Sequence, residues 1–275
     1  MITRLLKISG QELKYSLSSI RYQLTRPSGD GRACVLVNGS PKTGTTWMLK
    51  MITSVPGYRG VGNFGSDINR HREIYSGDVV HGHHKYSEDL WEILQSRDIK
   101  VILMVRDPRD QAVSRLFHIK RSAAHRWHER FGEMSDDEAL MACITGQPDL
   151  PGVEAMLNLT YSWLSAGEKA LCINYEALIS NPVIEFCKVL KYLGMTPSEY
   201  LVQAIITRNR FERLVVGKRF WQPARKPGQA DPNSHFRKGV VGDWKNHFTD
   251  VHKDKFKQLA GAQLIDLGYE KDLSW

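Results

Sequence analysis

The run Asn38-Gly39-Ser40-Pro41-Lys42-Thr43-Gly44-Thr45-Thr46-Trp47 packs glycine, lysine and threonine into the space of one tight turn. Set between a strand and a helix N-terminus, such a turn offers backbone N–H groups to an anion, and the lysine adds a full charge. Gly39 and Gly44 are spaced as in the nucleotide loop G-x-x-x-x-G-K-[ST], but Thr45 follows the second glycine and the lysine sits inside the loop at Lys42. A kinase or ATPase loop needs its lysine at the helix start, with the next hydroxyl on Mg²⁺. Lys42 is placed instead to reach a group at the mouth of the loop. Two further stretches carry cations: Arg106-Asp107-Pro108-Arg109-Asp110 with Ser114, and Phe236-Arg237-Lys238-Gly239. One phosphate needs one loop; three separate donor sets suit two anionic groups held some distance apart. The segment His81-Gly82-His83-His84-Lys85 adds imidazoles, whose ordinary pKa of about 6.5 suits proton transfer at neutral pH. As a metal site H-x-H-H lacks a further ligand, so no metal is expected.

Strands and helices must bring these groups together. Ala33–Val37 is apolar and partly β-branched and reads as a buried strand entering the loop; Met48–Ile52 reads as the helix leaving it. Val79–Gly82 reads as a second strand, ending among the histidines, and Ser87 caps a helix over Glu88–Ser96. Ile99–Val105 is apolar enough for the middle of a parallel sheet. It delivers Arg106 to a strand's carboxyl end, where ligands of open α/β sheets bind. Asp107 as N-cap and Pro108 at the first helical position start a helix through about Lys120, from which Ser114 can face the same crevice. Helices follow over 136–145 and 151–166, a strand over 170–174, a helix over 183–193 capped by Asn181-Pro182, and another over 197–207. Residues 56–78 show no period and read as a long loop. The Pro-rich stretch 222–235 reads as a mobile loop, and a helix runs from about Asp250. The fold class expected is α/β, a P-loop-like three-layer domain with a central, mostly parallel sheet flanked by helices. Residues 1–30 form an N-terminal amphipathic helix and linker, and 31–275 a single domain.

The chain's 275 residues suffice for one large domain with a well-buried core. Its net charge of +8 points to an anionic partner, but no basic run concentrates it, so nucleic acid is not expected. Cys34, Cys143, Cys172 and Cys187 form no C-x-x-C pair, which reads as reduced thiols in a cytoplasmic setting. No apolar run approaches the roughly 20 residues of a membrane span, and MITRLLKISG lacks the apolar core of a secretory leader. Residues 2–24 place leucines at helical spacing among basic residues. They pack on the domain or, less favoured, lie weakly on a membrane surface.

Three segments in this order resemble the sulfotransferases that use 3′-phosphoadenosine 5′-phosphosulfate (PAPS). PKTGTTW stands for the family's PKSGTTW, RDPRDQAVS for RNPKDVAVS, and RKGVVGDWKNHFT for RKGxxGDWKNxFT. The resemblance spans about residues 33–270. It implies that Lys42, Thr43, Gly44, Thr45 and Thr46 hold the 5′-phosphosulfate, that Trp47 stacks on adenine, and that Tyr175 and Phe211 pack beside it. It implies that Arg106 and Ser114 take the 3′-phosphate, joined by Arg237, Lys238 and Gly239. It implies in-line transfer of a sulfuryl group to an acceptor hydroxyl, with 3′,5′-ADP as product, Lys42 and a histidine as catalytic groups, and no metal. The family's base is the His of K-T-H-L-P. Spacing to Arg106 aligns it with His83, while His81 replaces the Lys and His84-Lys85 replaces Leu-Pro. Strand alternation sets His81 and His83 on one face and His84 on the other. Lys245-x-x-x-Thr249 is similar to the family's dimer motif, but Asp250 stands where that motif has Val, which leaves a dimer open.

The acceptor segments 56–78 and 117–160 hold Asn63, Asp67, Asn69, Arg70, Lys120, Arg121, His125, Arg126, His128 and Arg130, with few aromatics. This favours a carbohydrate or other polar hydroxyl as acceptor over a small phenolic or lipid-like alcohol, whose pocket would be richer in apolar side chains. The competing functions are a P-loop kinase, against which the missing G-K-[ST] argues, and a nucleotide binder without catalysis, which requires a diverged histidine segment.

Overall fold

The computed structural model describes residues 31–65, 67–215, 226–229 and 236–275. The expected helix over 2–24, and most of 222–235, lie outside the described residues. Five strands form one sheet there: β1 (Cys34–Gly39), β2 (Arg59–Asn63), β3 (Asp78–His81), β4 (Ile99–Val105) and β5 (Leu171–Asn174). Their order is β2-β3-β1-β4-β5, and every neighbouring pair is parallel. β1 is the middle strand, so the chain leaving it enters the crevice where connections run off to both sides.

Alternation along the strands divides the core. Val35 and Val37 of β1, with Ile102 and Met104 of β4, face one layer. That layer is built by α1 (Thr45–Ile52), by α8 (Pro182–Tyr192) and by α9 (Glu199–Arg208), through Met48, Met51, Phe186, Val189, Val202 and Ile205. Leu36, Val101 and Leu103 face the other side, against Leu90 and Leu94 of α2 (Glu88–Ser96) and Trp163 of α6 (Val153–Leu164). A third cluster stands apart from the strands. It joins α3 (Pro108–Arg121), α4 (His128–Glu133), α5 (Asp136–Thr145) and α11 (Asp250–Asp266) through Leu116, Phe131, Leu140 and Phe256.

Two local signals act as read. Ser87 accepts from Leu90 N–H and opens α2; Asp107 accepts from Arg109 N–H at 2.9 Å, with Pro108 following, and opens α3. At α8, Pro182 takes the first position, but Asn181 makes no side-chain cap. The reading of 56–78 as a long loop is corrected: it contains β2 and a 3₁₀ helix over Ile68–Glu73. β2 is an edge strand, RGVGN, with a register shift between Gly60 and Gly62. Two glycines leave no alternation to read, and the pairing is made by backbone. Short helices α7 (Tyr175–Ser180) and α10 (Phe211–Leu214) and a 3₁₀ turn over Asp243–Asn246 also lay outside the sequence reading. No helix among the described residues is long and apolar enough to cross a membrane.

Candidate active site

A cleft of about 430 Å³ opens at the carboxyl ends of the strands. Lys42, Gly44, Thr45, Thr46, Trp47, His83, Arg106, Ser114, Tyr175, Phe211, Arg237, Lys238 and Gly239 all line it. Segments up to about two hundred residues apart therefore share one cavity. Thr43 does not line it: its buried hydroxyl donates to Ser40 O at 2.8 Å and closes the loop from behind.

The loop's shape comes from a few local causes. Lys42 takes a left-handed backbone, φ 74°, and Gly44 does so at φ 99°. A Cβ on Gly44 would stand 2.8 Å from the Tyr175 ring, so glycine is required there for space as well as for φ. Gly44 starts α1 without a side-chain cap, which leaves the first N–H groups of the helix to point into the cleft. Ser40 Oγ donates to Met156 O at 2.6 Å and ties the loop to α6.

Arg106 leaves the end of β4 and lies over the Tyr175 ring at 4.3 Å. It donates to Lys42 O at 3.1 Å and approaches Asp110 at 3.6 Å, while its buried Nε has no partner. Asp110 also accepts from the N–H groups of Gly242 at 2.8 Å and Trp244 at 3.0 Å, so it anchors the segment that carries Arg237 and Lys238. Asp243 holds those two cations. Arg237 and Lys238 both donate to it, the latter at 2.6 Å, and Asn246 adds a third bond at 3.0 Å. Burial alone would raise the Asp243 carboxyl, but hydrogen bonds from His247, Lys238, Asn246 and Arg237 outweigh it and hold the group far below the usual carboxylate range. Gly239, at φ 64°, lies so close to the Phe211 ring that a Cβ would stand 2.2 Å from it. Trp47 meets Tyr175 edge-on at 5.8 Å and donates from its indole to Asn209 O at 2.9 Å.

Lys42 is pushed down to about 7, by burial first and then by the charges of Arg121 and Arg106.

The three histidines separate cleanly. His83 places Nδ1 2.7 Å from Gly39 O. A carbonyl only accepts, so Nδ1 carries the proton and Nε2 of the neutral ring is left as a base. His83 is open to the cleft on one side, yet its ring nitrogens are deep enough that desolvation, with the Lys42 charge, moves its pKa below the ordinary value against the Gly39 bond. His84 is buried, 6% exposed, and packs edge-on to His71 at 4.9 Å. His81 ends β3, with its ring 6.3 Å from that of His83.

The turning away of His84 has a different cause from the alternation expected. β3 stops at His81, so no strand period reaches His83 or His84. Asn38 fixes His84: its side-chain amide donates to His84 O at 2.8 Å and accepts from His84 N–H at 2.9 Å, and Trp163 adds a bond to His84 O at 2.7 Å. Asn38 stood in the sequence reading only as a loop residue. His125, named among the acceptor-segment residues, lines the cleft, and so do Arg115 and His118, which the sequence does not single out. Spacing was the signal for two of them, since Arg115 adjoins Ser114 and His118 follows it one helical turn later. Arg109 pins α3 to the C-terminus, pairing Asp107 at 2.8 Å and lying over Trp244 at 4.0 Å and Trp275 at 4.5 Å. No group of three or more potential metal ligands occurs among the described residues.

Residues 33–268 match the family model of the sulfotransferase domain. A flavonol sulfotransferase-like protein of Flaveria bidentis is 25% identical over 264 residues, covering 85% of this chain and 82% of that one. Sulfotransferase 1E1 of Homo sapiens is 25% identical over 250 residues, covering 82% and 81%. The crystal structure of mouse sulfotransferase SULT7A1 complexed with PAP has a similar fold, with a TM-score of 0.65 at 24% identity, covering 86% of this chain and 87% of that one.

Proposed function

The chain belongs to the sulfotransferase domain family, and from that premise we propose that it transfers the sulfuryl group of PAPS to an acceptor hydroxyl, with His83 as general base. The observation that carries this is the His83 Nδ1–Gly39 O contact at 2.7 Å, which leaves Nε2 as a proton acceptor beside the Lys42 loop.

The donor set fits the nucleotide. The uncapped start of α1 and Lys42 suit a 5′-phosphosulfate; Arg106, with its unpartnered Nε, and Ser114, Arg237, Lys238 and the Gly239 backbone suit a 3′-phosphate. Trp47, Tyr175 and Phe211 suit a purine. PAPS, when bound, supplies the sulfuryl group and leaves as 3′,5′-ADP. His83 Nε2 takes the proton of the acceptor hydroxyl as the new S–O bond forms. Lys42 and the loop N–H groups stabilise the charge that grows on the departing phosphate oxygen as the old S–O bond breaks. Lys42 arrives with its pKa lowered by burial first and then by neighbouring cations, and a bound anion restores its charge.

The acceptor is a polar hydroxyl compound, a carbohydrate being the leading class, because the cleft beyond the loop presents His81, Arg115, His118 and His125. A relative named flavonol sulfotransferase-like supports the phenolic alternative. The test is transfer from labelled PAPS to a pooled library of saccharides and phenols, with and without Mg²⁺. Metal-independent labelling is expected. No labelled product from any pool would refute the transferase reading, and transfer to simple phenols alone would replace the acceptor class.

A further inference from the structure

Arg115 is 6% exposed, and its side chain forms no ion pair among the described residues. It donates to Pro151 O and lies 3.6 Å from the Met156 sulfur. Its neighbours in the cleft are treated differently: Arg106 approaches Asp110, and Arg237 and Lys238 share Asp243. A guanidinium cannot shed its proton at any ordinary pH, so burial without a counter-ion is costly and no titration relieves it. Burial lowers its pKa, with only the Cys143 thiol opposing.

The surroundings do not supply the missing charge. The carboxylates lining the cleft among the described residues are Asp110 and Asp243, both engaged at the far end. Near Arg115 stand His118 and His125, their rings 6.0 Å apart, and the Arg115 charge itself holds the His125 pKa below its ordinary value after burial does so. Met156, the partner of Arg115, is also the anchor of Ser40, so the guanidinium lies on the α6 side of the phosphate loop.

We propose that Arg115, flanked by His118 and His125, forms an anion-binding subsite at the acceptor end of the cleft, so that the acceptor carries a carboxylate, sulfate or phosphate near the hydroxyl that is sulfated. The inference rests on the transferase reading above. It places the substrate among acidic hydroxyl compounds such as uronic acids, already sulfated sugars or hydroxy acids.

The test uses two matched libraries of hydroxyl acceptors, one of carboxylic acids and one of their methyl esters, glucuronic acid and its ester among them. With wild-type protein the acids should win by about tenfold or more in kcat/KM, the scale of one charge-assisted hydrogen bond. In Arg115→Met that preference should collapse through KM, while Arg115→Lys keeps part of it and the Kd for PAP moves little. Arg115→Met removes an uncompensated buried charge, so it should melt no lower than wild type; if it fails to fold, the lysine variant carries the comparison. Esters used as well as acids by the wild type, or a preference that survives Arg115→Met, overturns the inference and leaves the transferase reading intact. Equal loss of kcat for both libraries also overturns it, and assigns the guanidinium to the transferring sulfuryl group. Labelling of neither library, with PAP still bound, overturns the transferase reading itself.

Discussion

The two ends of the cleft are built on opposite plans. At the end proposed to hold the nucleotide three cations come with carboxylates: Arg106 with Asp110, Arg237 and Lys238 with Asp243. At the acceptor end Arg115, His118 and His125 gather with no carboxylate among the lining residues. The first plan holds the donors in place whether or not ligand is there. The second leaves charge for the ligand to neutralise. The teaching is that a site for an invariant co-substrate can carry its own counter-ions inside a short motif, as RKGVVGDW does, whereas a site for a particular acceptor depends on what the acceptor brings.

The sharpest way to break that contrast is at the boundary between the ends. His83→Ala should lower kcat by ~10²–10⁴, the range of general-base catalysis, with little change in PAP affinity. Its acid limb in kcat/KM should lie below the ordinary histidine value, because the folded-state pKa is depressed and the ring stays neutral as pH falls. A variant that keeps its rate, or loses nucleotide binding instead, would move the base elsewhere. Lys42→Ala should cost on the order of a hundredfold in kcat, as for a lost preorganised donor. PAP binding by the wild type should take up protons above pH of about 7, where the free ammonium is already losing its own. Calorimetry in two buffers of different ionisation heat reads this directly, and no uptake would mean the lysine is charged throughout.

Arg106→Ala tests the counter-ion plan alone. The wild type should bind 3′,5′-ADP far more tightly than 5′-AMP, and the variant should bind both alike. Equal wild-type affinities would sever the 3′-phosphate from this end. The smallest effect belongs to His84. Its folded pKa is lowered to about 4, by burial first and then by His71 and His83. The unfolded chain therefore binds the extra proton between about 6.5 and 4, and stability is lost as pH falls through that window, with a slope of at most about 1.4 kcal/mol per pH unit. His84→Leu should flatten this slope in denaturant titrations and leave kcat within a few fold. A large kcat loss would make His84, not His83, the base.

Much of this was legible because local chemistry announces itself. β4 and the Asp107-Pro108 start of α3 follow from an apolar run and a cap, and the three cation-bearing segments converge because each sits at a strand's carboxyl end or on a connection above it. What escaped depends on register. Two of the five residues of β2 are glycine and its pairing is by backbone, so it carries no pattern of side chains. Asn38 looks like any loop residue until its amide is found spanning β1 to the His84 backbone. The solitude of Arg115 is a fact about what is missing around it, which no single segment encodes.

Asp243 has one more consequence. It accepts from both Arg237 and Lys238, so on the proposed assignment a 3′-phosphate would share these donors with a resident carboxylate. The same competition runs in reverse after the reaction, when the spent nucleotide has to go and the carboxylate stands ready to reclaim its partners. On that reading Asp243 would shorten the residence of the nucleotide and favour its release. Asp243→Asn should hold PAP longer in stopped-flow displacement, and the enzyme should stall on its own product.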